Sequence, residues 1–339
     1  MGVKRQLKRI AEAAAAPLAP LTWRMRRDPR LLVLMYHRVL PPTHADRAIE
    51  QPGMYVSPAT LDLHCALLKR YFDFVHLDDW LRAARAREEL PRMACALTFD
   101  DGWRDNFEYA LPVLEQQCVP ATIFLVSSYT GTAREFWPNR LGRLLSAATS
   151  QPGSVEFPER LRHLIAPVLE DVRRRGIIRN TDVDRAIAAT KQLVEDEIRD
   201  LIAHSAGPEG TPPGGRDVLN EEEIRAMGRS GLVRFGSHTR THYRLRGVVP
   251  PEILKSEIVE SRAEIAATCG QPVNIFCYPN GDLSESAAGV VRQHYLGAVT
   301  TERGWHSARR DPFLIRRIGV HEDISDRPDS FLARISGWL

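Results

Sequence analysis

The sequence predicts an α/β fold: a parallel sheet, open or closed into a barrel, covered by helices. Three observations carry that prediction. Seven short apolar or β-branched runs recur between residues 31 and 320, and stretches with helix punctuation separate them. The runs are also apolar on both faces, as strands buried between two layers must be.

The first run is 31–36. Ser57-Pro58 then reads as an N-cap with proline at the first helical position, followed by Leu61, Cys65, Leu68 and Phe72 at helical spacing. The next runs are 93–99, with a helix opening near Asp105, and 121–126. Between about 132 and 218 no run qualifies as a strand. Residues 157–175 and 182–204 are helical in pattern, the latter through Val183, Ile187, Val194, Ile198 and Leu201. A Gly/Pro-rich stretch, 207–215, closes this excursion, which reads as a helical insertion into one α/β domain. Asn220 with Glu223 has the pattern of a capping box. The run 232–235 follows, then a helix over 251–268 with Ile253, Leu254, Ile258 and Ile265 on one face and Gly270 at its end. Runs 273–278, 298–301 and 313–320 complete the set.

Composition narrows the function. The 339 residues are 43% hydrophobic and 26% charged, which fits a folded globular chain and excludes a mostly disordered one. No apolar run reaches the roughly 18–20 residues of a membrane-spanning helix. A net charge of +3, with no basic stripe interleaved with aromatics, excludes nucleic acid as the expected partner. The charge is uneven, however. Residues 1–30 hold eight Lys or Arg against Glu12 and Asp28, a basic N-terminal extension ahead of a domain over 31–339. Glu12, Pro17 and Pro20 interrupt the apolar stretch that a secretion signal requires. A helix over about 3–16 carrying Leu7 and Ile10 could make peripheral contact with anionic lipid; a solvated leader is the alternative. Five cysteines without a CxxC fit free thiols in a reducing compartment. The expected location is cytoplasmic, with the inner membrane face as the place of any membrane contact.

Four motifs fall where apolar runs stop. In parallel α/β folds that is the ligand-binding edge. Thr98-Phe99-Asp100-Asp101-Gly102 puts two adjacent carboxylates there; a metal accounts for one and a base poised beside it for the other, while a helix N-cap is the plain alternative. His238-Thr239-Arg240-Thr241-His242 offers two imidazoles at i and i+4, able to converge on one ion if the segment is helical or turn-like. Asp101 with His238 and His242 gives three protein ligands and an open fourth position, the catalytic arrangement. Zinc is the first expectation for that set, and cobalt, nickel or iron suit it too. Phe276-Cys277-Tyr278-Pro279-Asn280-Gly281 ends a run in a turn whose backbone could face a developing oxyanion. Met35-Tyr36-His37-Arg38 places a histidine at a strand end, a candidate proton donor. Within the excursion, Glu135-Phe136-Trp137 supplies aromatics; Trp137 is either a stacking surface for a sugar or packing beneath the insertion.

Together these motifs, from Leu34-Met35-Tyr36-His37-Arg38-Val39 to Tyr278-Pro279-Asn280-Gly281, resemble the polysaccharide deacetylase family with its NodB-homology domain. The resemblance implies a distorted (β/α) barrel of seven strands and metal-dependent removal of an N-acetyl group from an amino-sugar glycan, in synthesis or modification of an exopolysaccharide or surface glycan. It implies Asp100 as general base, Asp101, His238 and His242 as metal ligands, and the backbone of Tyr278, Pro279 and Asn280 at the oxyanion. Two departures stand out. The arginine that orients the base in many members is absent beside Cys277, leaving Arg316 or Arg317 as substitutes. The late histidine motif is loose at Gly319-Val320-His321, so His37 is the expected general acid, with His321 as the alternative. Amide hydrolysis on a non-sugar substrate and a catalytically impaired glycan-binding protein are the competing readings.

Overall fold

The computed structural model describes Pro20, Trp23 and residues 28–207 and 215–336. The helix expected over 3–16 lies outside them, as does most of the 207–215 stretch. Seven parallel strands make the main sheet: β1 (Arg30–Tyr36), β2 (Met93–Phe99), β3 (Ala121–Leu125), β4 (Val233–Ser237), β5 (Ile275–Cys277), β6 (Gly297–Arg303) and β7 (Ile315–Gly319). They run in the order β1-β7-β6-β5-β4-β3-β2, and β1 pairs β2 from Arg30↔Met93 to Tyr36↔Phe99, which closes the barrel. A two-residue strand, Asp73–Phe74, adds to the start of β2. All seven expected runs are strands, their ends displaced by one or two residues at most.

The helices of seven or more residues are α1 (Pro58–Leu68), α2 (Leu77–Ala86), α3 (Leu111–Gln117), α4 (Trp137–Ser150), α5 (Glu159–Arg175), α6 (Asn180–Thr190), α7 (Glu195–Ala203), α8 (Glu221–Arg229), α9 (Ser261–Cys269), α10 (Glu285–His294) and α11 (Pro328–Ile335). Local chemistry sets their ends. Ser57 Oγ accepts the Thr60 N–H at 3.1 Å, capping α1. Asn220 and Glu223 exchange side-chain and backbone bonds at 2.9 and 3.0 Å, so the capping box at α8 forms. A π-helical segment, Lys255–Glu260, leads into α9, which ends at left-handed Gly270. The single helix expected over 182–204 is instead two, α6 and α7, with the chain turning at 191–194. A straight helix would bury Val194, which is 67% exposed; the break lets Val183 and Ile187 join Ile198 and Ile202 in one core. Among the described residues no helix is long and apolar enough to cross a membrane.

The chain divides into two compact units. The first comprises the chain up to Pro41 with Tyr55–Thr132 and Val218–Leu339, and holds the barrel. The second comprises Pro42–Met54 and Ala133–Asp217, is helical, and has its own core around Leu141, Leu144, Leu161, Ile165, Val183 and Ile198. Sequence reading does not separate Pro42–Met54 from the barrel; within the second unit Asn180 Nδ2 donates to the carbonyls of Arg47 and Glu50 at 2.8 Å each. In the first unit, the chain leaving β3 and the chain returning to α8 are tied together. Gly131 N–H donates to Leu219 O at 2.9 Å, and Trp103 bridges Val218.

Strand residues alternate between two apolar layers. Leu32, Leu34, Cys95 and Leu97 belong to the layer between strands and helices, whereas Leu31, Val33, Ala94, Ala96, Ile275 and Ile315 fill the barrel interior. Trp80 and Leu81 of α2 belong to that interior cluster and close the end where the strands start. Gly236 on β4 admits Phe124 of β3: a Cβ there would meet the phenyl ring at 2.5 Å.

Candidate active site

The inward period of two carries each strand one step past its apolar residues, and there the interior becomes polar. On β2 the series Ala94, Ala96 continues as Thr98 and Asp100; on β5 Ile275 is followed by Cys277, and on β7 Ile315 by Arg317. Between Ile315 and Arg317 the pairing of β7 with β6 slips, from Ile315↔Val299 to Arg317↔Arg303. Such an irregularity re-aims the side chain beside it. Arg317 Nε donates to Thr300 O at 2.9 Å, and its two terminal nitrogens donate to the two Asp100 oxygens at 2.6 and 2.7 Å. It also donates to Thr98 Oγ1 and Cys277 Sγ. Arg316 points elsewhere, pairing with Glu302. Arg317 is therefore the arginine that orients Asp100.

Asp100 is 3% exposed. Burial by itself would raise its carboxyl, but the two-pronged Arg317 pair outweighs burial and holds it well below the usual carboxylate range. Burial also pushes the Cys277 thiol up, so this sulfur is a neutral acceptor rather than a thiolate.

Asp101 would point outward by strand parity. Its φ of +75°, in the left-handed region, turns it back toward the interior, and Gly102 follows at φ +73°. Its Oδ1 lies 3.5 Å from His238 Nε2 and 3.4 Å from His242 Nε2. The histidine segment is a turn, not a helix, with Thr239 at φ +65° and His242 at φ +61°. Two such residues in five bend the backbone enough to bring the rings to 4.9 Å, edge to face. His238 Nδ1 donates to Cys277 O at 2.8 Å, leaving Nε2 for the cluster, and burial lowers its pKa, favouring the neutral imidazole a metal needs.

Asp101, His238 and His242 offer ligand atoms within 4.8 Å of one another, a carboxylate and two imidazoles that fit a divalent ion of the zinc type. Asp100, His238 and Cys277 satisfy the same distance, but Arg317 already occupies both Asp100 oxygens and His238 Nδ1 is bonded to a carbonyl. Of the two, the first set is the better candidate for a metal.

Two supports around it were not singled out by sequence reading. Trp103 Nε1 donates to Asp101 Oδ2 at 2.9 Å, and the Arg38 guanidinium lies 4.4 Å from the Trp103 ring. Arg38 is pinned in turn by Asp105 Oδ2 at 2.8 Å, whose other oxygen accepts the Val39 N–H. Glu257, 5% exposed in the π-helical segment, accepts from the backbone N–H groups of Arg240 and Thr241 at 3.0 and 2.9 Å and from Thr241 Oγ1 at 2.8 Å. The only sequence signal for Glu257 is an acid beside Ile258 on the apolar stripe.

His37 continues the inward series of β1, and its Nε2 is 3.9 Å from Asp100 Oδ2. His321 follows β7 on the neighbouring strand and sits 3.5 Å from Asp323. At the third motif the Tyr278 N–H is used by Val299 O at 3.2 Å, and its side chain is buried in the strand–helix layer against Phe276. Pro279 has no N–H, and Asn280 is left-handed at φ +55°. Trp137 opens α4, half-buried against the core of the second unit.

The polysaccharide deacetylase family profile matches residues 87–163 and 177–299, more than half of the chain. The putative polysaccharide deacetylase YxkH of Bacillus subtilis is 28% identical over 117 residues, which span 34% of this chain and 41% of that protein. Among solved structures, the Streptococcus pyogenes deacetylase PplD, in complex with acetate, superposes with a TM-score of 0.58 at 17% identity, covering 91% of this chain and 99% of that one. The putative polysaccharide deacetylase BA0330 of Bacillus anthracis gives 0.56 at 17% identity, covering 90% and 69%. At such identities the structural likeness bears on the fold, and the profile match, which spans Asp100, Asp101, His238 and His242, bears on descent. On these grounds the chain belongs to the polysaccharide deacetylase family of hydrolases.

Proposed function

We propose that this protein is a metal-dependent N-deacetylase acting on an N-acetylated amino-sugar glycan, in the synthesis or modification of an exopolysaccharide or surface glycan. The observation that carries the reading is an ionised, arginine-held Asp100 immediately beside the Asp101/His238/His242 cluster. Simple binding of a glycan does not require a base next to a metal ligand. Arg317 beside Asp100 also removes one support of the catalytically impaired reading.

An ion held by Asp101, His238 and His242, zinc first, with cobalt, nickel or iron accepted by the same donors, would polarise the amide carbonyl and acidify a water molecule. Asp100, kept as the carboxylate, accepts the proton of the attacking water. Arg317 fixes both of its oxygens, so the proton reaches a base of defined orientation. His37 protonates the departing amine. The backbone of Asn280, in the turn that ends β5, would serve the oxyanion. Free cysteines and the basic extension support work in the cytoplasm or against the inner membrane face.

The test is acetate release from short N-acetylglucosamine oligomers by the zinc-loaded protein, with Asp100→Asn alongside. Release by the parent and loss in the variant is the expected result; no release from any N-acetylated sugar by a metal-loaded parent overturns the reading. For Trp137→Ala, a changed KM with intact fold indicates sugar stacking, and lowered stability alone indicates packing.

A further inference from the structure

A cleft of ≈ 310 Å³ opens at the end of the barrel where the strands start, opposite Asp100. Leu81 of α2, Tyr295 and Leu296 after α10, and Phe313 ahead of β7 give it an apolar wall. Trp80 and His306 line it too, only 2% and 1% exposed, their rings edge to face at 6.1 Å. Among the described residues, neither Trp80 Nε1 nor His306 Nδ1 has a hydrogen-bond partner. Buried polar atoms without partners are rare, and here two lie together behind the wall of one cleft.

The surrounding charge sets the sign of that ligand. Arg292 is neutralised by Asp311, 3.0 Å away, and lies over Phe313. Arg85 and Arg310, exposed at the edge of the cleft, pair with no carboxylate among the described residues. Burial and then Arg310 lower His306 to a pKa of about 4, so it is neutral and the positive edge comes from the arginines alone. The chain enters β1 alongside: Leu31 and His306 exchange backbone bonds at 3.1 and 2.9 Å, and Asp28 meets Arg309 at 3.3 Å. A positive edge over an apolar wall suits an anion carried on an apolar or flat body, and two guanidinium groups favour phosphate.

We infer that this cleft is a second binding site, separate from the Asp100 site, for an organic phosphate. The phosphate comes either from a soluble ester or from a phospholipid headgroup. The inference does not depend on the deacetylase reading. Its test uses the full chain and the indole N–H resonance of Trp80, assigned with Trp80→Phe. Phenyl phosphate, inorganic phosphate and phosphatidylglycerol vesicles, with phosphatidylcholine vesicles as control, serve as probes. Saturable movement of the Trp80 signal by phenyl phosphate, weakened about tenfold or more by Arg85→Ala with Arg310→Ala and unchanged by Asp101→Asn, is the expected result. Binding confined to phosphatidylglycerol vesicles and lost in the same double variant also supports the site and identifies a lipid source. A Trp80 signal unmoved by every probe at millimolar concentration overturns the inference. So does binding indifferent to the two arginines or abolished by Asp101→Asn. Both arginines are exposed, and circular dichroism checks that the double variant is folded.

Discussion

Arg317 and Asp100, 217 residues apart in sequence, meet inside the barrel through two parallel hydrogen bonds of 2.6 and 2.7 Å. Lysine cannot reproduce that fork. Arg317→Lys is expected to remain folded and to lose about a hundredfold or more in kcat. Arg317→Met leaves a buried carboxylate alone and should cost about 3–5 kcal/mol in urea unfolding. The pH dependence has a defined sign. The folded Asp100 pKa is depressed, so its stabilising contribution is complete above the ordinary carboxylate value of ~3.9 and is lost as pH falls toward the folded value. Arg317→Met moves the acidic limb of the pH–rate profile upward; an unmoved limb contradicts the pairing as the cause.

Trp103 acts through Asp101. Trp103→Phe removes the indole donor and keeps the ring beneath Arg38, so zinc affinity should fall about 10–100-fold with little loss of stability. Chelator titration of the two proteins measures this. Metal removal from the parent should abolish turnover and leave the closed barrel folded, as read by far-ultraviolet circular dichroism.

Glu257 holds the histidine turn by three hydrogen bonds. Glu257→Gln exchanges one acceptor oxygen for a donor facing N–H groups. The cobalt-substituted variant should show an altered visible spectrum and weaker metal binding. A spectrum identical to the parent, with only a lower melting temperature, makes Glu257 a purely structural residue.

Of the two strand-end histidines, His37 lies 3.9 Å from the Asp100 carboxylate and His321 lies beside Asp323. His37→Gln should lower kcat about 10²–10⁴-fold while KM changes little, and His321→Gln should stay within a few-fold of the parent. The reverse ranking assigns the acid to His321.

Burial lowers His64 and His306 each from 6.5 to about 4. Both are held neutral by the fold and protonate readily in the unfolded chain. Stability should therefore fall as pH drops from 6.5 toward 4, by up to about 1.4 kcal/mol per pH unit for each histidine. Denaturant unfolding across that window gives the slope, and a flat profile excludes it.

The strands were readable because a barrel strand is buried on both faces, which leaves an unbroken apolar run such as Met93–Phe99. Asp100, Asp101, His238 and His242 were readable because strand ends and ligand spacing coincide. Arg317 could not be separated from Arg316: neighbours on a strand face opposite sides, and the slip against β6 that decides between them leaves no mark in sequence. Trp103 and Glu257 were hidden for a related reason. Each acts through another residue, and an indole or a carboxylate near an apolar stripe has many ordinary uses. The break between α6 and α7 was missed because no proline or glycine signals it; shared burial in one core imposes it.

The tie between Gly131 and Leu219 fastens the two ends of the helical excursion within the barrel unit itself. Whatever lies between those ends adds only slowly to the entropy of closing the loop. The barrel can therefore carry excursions of very different length at this position while its catalytic strand ends keep their register. In evolutionary terms the neck is a socket: recombination or insertion between residues 132 and 218 can replace what is plugged in there, and the chemistry beside β2 and β4 need not be rebuilt each time.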